Sequence, residues 1–275
     1  DASLPELHPD VRPWDSLTME EQRKEARKME LYAGMVDNLD ENVGQLVKYL
    51  KKIGQYENTL IIFLSDNGAA AEDFYYDEKY GPFIRAHYTD VYDSMGRPAS
   101  FVSYGPQWAE AGTAPFRHFK GYTSEGGITA PMIIAGKGVE QAGEMWNGFI
   151  TVMDIAPTCF EFAGTSYPAE HNGKMLYQLK GKSLLELLKG NRDDVHGADY
   201  VFAVEHGGRT MLRKGSWKVV SENWEEDTAA FQLFNLAADR AEKKDLMGLE
   251  PEKYRELMKE WGAFAEEIKL MDSDQ

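Results

Sequence analysis

Two hard oxygen donors stand side by side at Asp66 and Asn67, directly after the apolar run Thr59-Leu60-Ile61-Ile62-Phe63-Leu64. A carboxylate beside an amide carbonyl suits Ca²⁺ or Mg²⁺ better than a softer metal. Two such ligands leave a shell of six to eight oxygens incomplete, so further acids must come from elsewhere. The same Ser65-Asp66-Asn67-Gly68 segment also reads as turn chemistry, since Asn-Gly favours hairpin turns and Asp favours caps. The second candidate is Lys120, in Arg117-His118-Phe119-Lys120-Gly121-Tyr122, just before Thr123-Ser124-Glu125-Gly126-Gly127. A lysine flanked by aromatics and partly desolvated binds an anion strongly. The competing reading is a surface lysine whose stem lies on the rings.

Other arrangements fall short. Gly181-Lys182-Ser183 resembles the end of a phosphate-binding loop, but the required earlier glycine is Leu176. Gly136-Lys137-Gly138 has Gln141 where a dinucleotide fingerprint needs its third glycine. Neither His-Glu-x-x-His nor Gly-x-Ser-x-Gly occurs. His87, His118, His171 and His206 are scattered without ligand spacing. The single cysteine, Cys159, rules out an internal disulfide framework and lies on an apolar helical face, which predicts a packed core residue. Thirty Lys and Arg against 46 Asp and Glu give a net charge of −16, which repels phosphate backbones, so no nucleic-acid partner is expected. No apolar run approaches the roughly 20 residues of a membrane span.

The elements that must position Asp66, Asn67 and Lys120 are legible around them. Pro5, Pro9 and Pro13 predict an extended arm. Thr18 and Glu21 fit a capping box, and Leu31, Met35, Leu39, Val43, Leu46, Leu50 and Ile53 recur at helical spacing up to a stop at Gly54. The run 59–64, directly after a helix, predicts a buried strand of a parallel sheet. Residues 69–118 carry many aromatics, Gly and Pro with little periodicity and read as a long loop-rich insertion. Its Phe74, Tyr75, Tyr76, Phe83, Tyr88, Tyr92 and Trp108 could stack on a ring or pack beneath the loop. A second strand is expected at 131–135, and a helix at 154–163 with Asp154 as N-cap and Gly164 as stop. A capping box at Ser183–Glu186 predicts a short Leu-rich helix ending at Gly190. Four short strands (200–205, 210–213, 217–220, 231–236) and a helix opened by Pro251 complete the chain.

The expected organisation is therefore α/β over residues 1–190 and a small antiparallel sheet with one covering helix over 191–275. At the level of whole motifs, LYAGMVDNLDENVGQLVKYLKKIGQYENTLIIFLSDNGA resembles the central signature of the formylglycine-dependent sulfatases. The likeness continues in order through PFRHFKGYTSEGGITAPMII, MDIAPTCFEFAG, GKSLLELLKG, GGRTMLRKGSWKVV and FQLFNLAADRAEKKDL, covering most of residues 19–247. The insertion resembles bacterial arylsulfatases in particular. The resemblance implies an alkaline-phosphatase-like α/β fold, of which residues 1–190 are the C-terminal part of the main domain, plus a small α+β domain with an antiparallel sheet. It implies that Asp66 and Asn67 bind a catalytic divalent cation, usually calcium, and that Lys120 contacts the substrate sulfate.

Departures from the pattern carry equal weight. The family nucleophile, a formylglycine, is made from Cys or Ser in C/S-x-P-S/A-R. Cys159-Phe160-Glu161-Phe162, Ser3-Leu4-Pro5-Glu6-Leu7 and Ser166-Tyr167-Pro168-Ala169-Glu170 all fail that pattern. Thr129 stands where the family's G-G-x-R-x-P has arginine. The expectation is a C-terminal portion of an arylsulfatase, partnered by the N-terminal half of the same enzyme, acting on a small-molecule sulfate ester and inactive alone. Two alternatives stand beside it. One is phosphodiester or phosphonate hydrolysis within the same superfamily, which Asn67 disfavours because those relatives more often carry Asp-His there. The other is a non-catalytic binding module that retains the fold.

Overall fold

The computed structural model describes residues 4–223 and 230–273. A long helix α1 (Met19–Lys52) leads into strand β1 (Leu60–Leu64). Helices α2 (Gly81–His87), α3 (Pro106–Thr113) and α4 (Glu125–Ile128) precede β2 (Met132–Gly136). Helix α5 (Ile155–Phe162), the hairpin β3 (Glu170–His171) and β4 (Lys174–Met175), and α6 (Leu185–Leu188) follow. Strands β5 (Val201–His206), β6 (Arg209–Lys214), β7 (Trp217–Ser221) and β8 (Gln232–Asn235) then lead to α7 (Pro251–Ser273). Among the described residues no helix is long and apolar enough to cross a membrane.

Contacts group residues 1–46, 65–131 and 201–275 into one compact unit and residues 47–64 and 132–200 into another. In the first, β5–β8 form an antiparallel sheet in sequence order. Alternate residues fill its two faces. Leu212, Val219, Phe231 and Leu233 pack with Leu257, Trp261 and Ala265 of α7. Met211, Val220, Phe234 and Leu236 gather on a second cluster that includes Ile128 of α4. The Gly215 turn between β6 and β7 has φ +58°, the left-handed region glycine enters without a Cβ penalty. In the second unit, Leu184, Leu187 and Val195 pack with Met132, Ile134 and Ile150.

Helix α1 starts as its sequence predicts. Thr18 N–H donates to Glu21 Oε2 (2.7 Å) and Glu21 N–H to Thr18 Oγ1 (3.3 Å). It stops where Gly54, at φ +69°, lets the Gly54 and Gln55 amides reach the carbonyls of Lys51 and Leu50. Yet α1 buries none of its residues, and Met35, Leu39, Leu46 and Ile53 stay exposed.

Two local expectations are corrected and a third is refined. The parallel placement of β1 is wrong: β1 pairs antiparallel with β2, Leu60 opposite Gly136 and Leu64 opposite Met132. An unbroken apolar run reports covered faces, not the direction of a neighbour, and here the cross-strand pair Phe63 and Ile133 is exposed. Cys159 is exposed rather than packed. Its helix turns Thr158 and the preceding Asp154 inward, and the apolar pattern alone does not say which face meets a partner. Asp154 does stand at the N-cap position of α5, but its side chain caps no α5 amide; it closes a capping box with Thr151 across the preceding 3₁₀ turn. Its buried carboxylate also accepts Lys182 N–H (2.7 Å) and meets His196 Nε2 at 3.0 Å.

Candidate active site

The segment 65–68 forms a tight loop. Ser65 N–H donates to Pro131 O (3.2 Å), and Ser65 Oγ donates to Asn67 O (2.9 Å). Asn67 Nδ2 donates to Gly68 O (2.8 Å), which fixes the amide and leaves Oδ1 without a hydrogen-bond donor among the described residues. Asp66 is exposed, and no hydrogen bond or ion pair engages its carboxylate among the described residues. The loop thus holds two oxygen donors without occupying them with capping, the arrangement that a hard cation requires. Among the described residues no group of three or more His, Cys, Asp or Glu forms a complete metal cage. The donor set fits part of such a shell.

Lys120 reaches the same loop through the backbone. Its N–H donates to Ala69 O (3.1 Å), three residues after Asp66. Its ammonium lies 2.7 Å from Glu72 Oε1, a carboxylate that sequence reading passed over. Burial is the largest single influence and works to raise the Glu72 pKa, but the Lys120 hydrogen bond, a backbone hydrogen bond and the lysine's charge together outweigh it and hold the carboxyl below its ordinary value. The aromatic flank is real: Phe119 is buried, and His8, Phe119, His118 and Tyr122 meet in edge and tilted ring contacts. His8 Nε2 lies 2.5 Å from Tyr122 Oη. Burial, together with Arg117, His8 and Arg209, pushes the His118 pKa down to about 3, so its imidazole is neutral at ordinary pH even with Glu222 3.1 Å away.

Two glycines lock these loops together. Gly68 N–H donates to Gly127 O (3.0 Å), and Gly126 N–H to Arg117 O (3.0 Å). A Cβ on Gly68 would run into the carbonyl of Gly126, and one on Gly126 into the carbonyl of His118. Only hydrogens fit between the Asp66–Asn67 loop and the Lys120 loop. Thr129 does not reproduce an arginine: its hydroxyl donates to Glu125 Oε2 (3.1 Å). Glu125 instead meets Lys218, which is fully buried and also pairs with Glu242. Burial opposes both charges. The carboxylates nevertheless raise the Lys218 pKa, and Lys218 lowers that of Glu125. Sequence gave no signal for this triad, whose members lie in three distant segments.

The aromatic insertion divides. Trp108 is a structural residue, donating from Nε1 to Glu25 O (2.9 Å). Phe74, Tyr80 and Phe83, with Lys79 and Ile84, line a shallow surface cleft of about 460 Å³.

Comparison with known proteins gives the family. The sulfatase family model matches residues 8–165. An uncharacterized sulfatase of Schizosaccharomyces pombe is 35% identical over 253 residues, 91% of this chain and 46% of that protein. An arylsulfatase of Klebsiella aerogenes is 42% identical over 166 residues, 60% of this chain and 35% of that protein. The crystal structure of Ps i-CgsB in complex with k-i-k-neocarrahexaose superposes with a TM-score of 0.59 at 26% identity, covering 85% of this chain and 42% of that one. The chain spans less than half the length of these relatives. With a family match over more than half its residues, the chain belongs to the sulfatase family.

Proposed function

We propose that this chain forms the C-terminal portion of a sulfatase that hydrolyses a small-molecule sulfate ester, and that it supplies about half of the active site. Residues 1–190 are part of the α/β catalytic domain and 191–275 its small C-terminal domain. Asp66 and Asn67 would hold a hard dication, Ca²⁺ or Mg²⁺. Such an ion, when bound, withdraws charge from the sulfate oxygens and makes sulfur more open to attack. Lys120 brings its ammonium to a sulfate oxygen, leaving Glu72 as the anion arrives, and stabilises the charge that builds there. The cleft at Phe74, Tyr80 and Phe83 offers ring faces to the organic part of the substrate.

The nucleophile is not encoded in this chain, because no Cys or Ser matches the formylglycine motif. It comes from the N-terminal half of the same enzyme. The exposed apolar stripe of α1 and the open pair Phe63–Ile133 are surfaces for that half to cover.

One observation carries the reading: the Asp66 carboxylate and Asn67 Oδ1 stand unengaged on a loop hydrogen-bonded to the backbone of the Lys120 segment. The test uses the 275-residue chain, and the same chain preceded by its N-terminal half, with 4-nitrophenyl sulfate and Ca²⁺. The isolated chain gives no turnover above buffer and the longer protein does. Asp66→Asn in the longer protein lowers kcat/KM by about 100-fold. Turnover by the isolated chain, or full activity in Asp66→Asn, overturns the reading.

A further inference from the structure

Lys218, the second residue of β7, has no exposed surface. Its ammonium lies 3.0 Å from Glu125 Oε1 and 2.8 Å from Glu242 Oε1. Glu242, also without exposed side-chain surface, turns its other oxygen to the Glu125 N–H at 2.9 Å and lies 4.0 Å from Arg117 Nε. Glu125 is therefore held twice, by its side chain and by its backbone. The second oxygen of Glu125 accepts the Thr129 hydroxyl, so the carboxylate cannot swing away without leaving a buried charge unpaired.

Glu125 opens α4, and the next two residues are the glycines between the loops. Gly127 O accepts the Gly68 N–H, Gly126 N–H holds Arg117 O, and a Cβ at Gly127 would strike the carbonyl of Tyr122. A short helix of four residues has too few internal hydrogen bonds to set its own position. The buried pair does so.

We propose that Lys218 is a positioning residue: through Glu125 it fixes the Gly126–Gly127 wedge, and so the separation of the Asp66–Asn67 loop from the Lys120 loop. Its bearing on catalysis rests on the function proposed above, while its effect on the loops does not. Among the described residues Lys218 makes no hydrogen bond or ion pair with either loop; it acts through Glu125, directly and by way of Glu242, which accepts the Glu125 N–H.

The test is amide hydrogen exchange on the 275-residue chain. In Lys218→Met, the amides of Gly68, Lys120 and Gly126 exchange at least about tenfold faster, while those of the β5–β6 ladder keep their protection. Because a lone buried carboxylate pair could unfold the sheet, the charge-balanced Lys218→Met/Glu125→Gln variant is measured beside it. It shows the same acceleration at the same three amides. Terbium luminescence on the same proteins reads the cation donors separately: Asp66→Asn abolishes terbium binding without accelerating exchange at Gly126. If the chain binds no terbium, the cation reading fails and the exchange result still decides the positioning role. Unchanged exchange at Gly68 and Lys120 in the charge-balanced variant, or acceleration spread evenly over the β5–β6 ladder, overturns the proposal.

Discussion

On the function proposed above, replacing Glu72 by Gln frees the lysine that would bind the sulfate. Lys120 Nζ lies 2.7 Å from Glu72 Oε1, with side chains 38% and 41% exposed. At that distance the bare attraction in water is about 1.5 kcal/mol. Side-chain entropy and salt reduce the net value of such a partly exposed pair to about 0.2–1 kcal/mol. A sulfate ester must displace Glu72 before it reaches the ammonium, so removing the competitor returns that energy to substrate binding. Glu72→Gln should lower KM by about 1.4- to 5-fold at pH 7. In the proposed complex the Glu72 pair is already broken in both ground and transition states, so kcat should change little. The pH dependence has a definite sign. The Glu72 carboxyl titrates below its ordinary value of 4.5: burial works against this, but the hydrogen bonds it accepts and the charge of Lys120 together outweigh burial. The pair is complete above pH 4.5 and is lost as pH falls through the lowered folded-state value, so wild type and Glu72→Gln should converge in acid. Steady-state kinetics of the longer protein with an aryl sulfate, run at pH 7 and in acid, measures both effects. A higher KM in Glu72→Gln, or a gap that widens in acid, refutes the displacement argument.

Three further predictions follow from the packing. Gly68→Ala, whose Cβ would meet the backbone of Gly126, should destabilise the chain by about 1–3 kcal/mol in urea unfolding, and a neutral result would contradict the close approach. Asp154→Ala removes an acceptor shared by Thr151 N–H, Lys182 N–H and His196 and should cost about 3–5 kcal/mol by the same assay; a loss below about 1 kcal/mol would mean that this buried carboxylate is not an anchor. Cys159 should react with a thiol reagent in the folded chain as fast as in the urea-unfolded chain, and protection from it would contradict its exposure.

What the sequence reveals follows the range of the forces involved. The α1 capping box, the four strands after residue 200 and the Pro251 helix are local in origin and emerge close to where spacing and turn residues put them. The Asp66–Asn67 loop was legible because an apolar strand must end before hard donors can face outward. Direction and coverage were not legible. The antiparallel pairing of β1 depends on a return path of more than sixty residues, and the exposure of Cys159 on what else the chain offers to cover it. The Glu72 pair and the Lys218–Glu125–Glu242 triad joined no periodic pattern, because charges from distant segments meet only after folding. The substitution at Thr129 becomes intelligible in the structure: a hydroxyl satisfies the Glu125 oxygen that Lys218 does not reach.

The central claim is that Asp66 and Asn67 grip a hard cation against a sulfate held by Lys120. A crystal structure of the longer protein grown with Ca²⁺ and inorganic sulfate tests it most directly. The account predicts an ion with Asp66 and Asn67 oxygens at about 2.3–2.6 Å, and the Lys120 ammonium moved from Glu72 onto a sulfate oxygen. Calcium bound by other residues, with the Asp66 carboxylate turned to solvent and Lys120 still on Glu72, would contradict it.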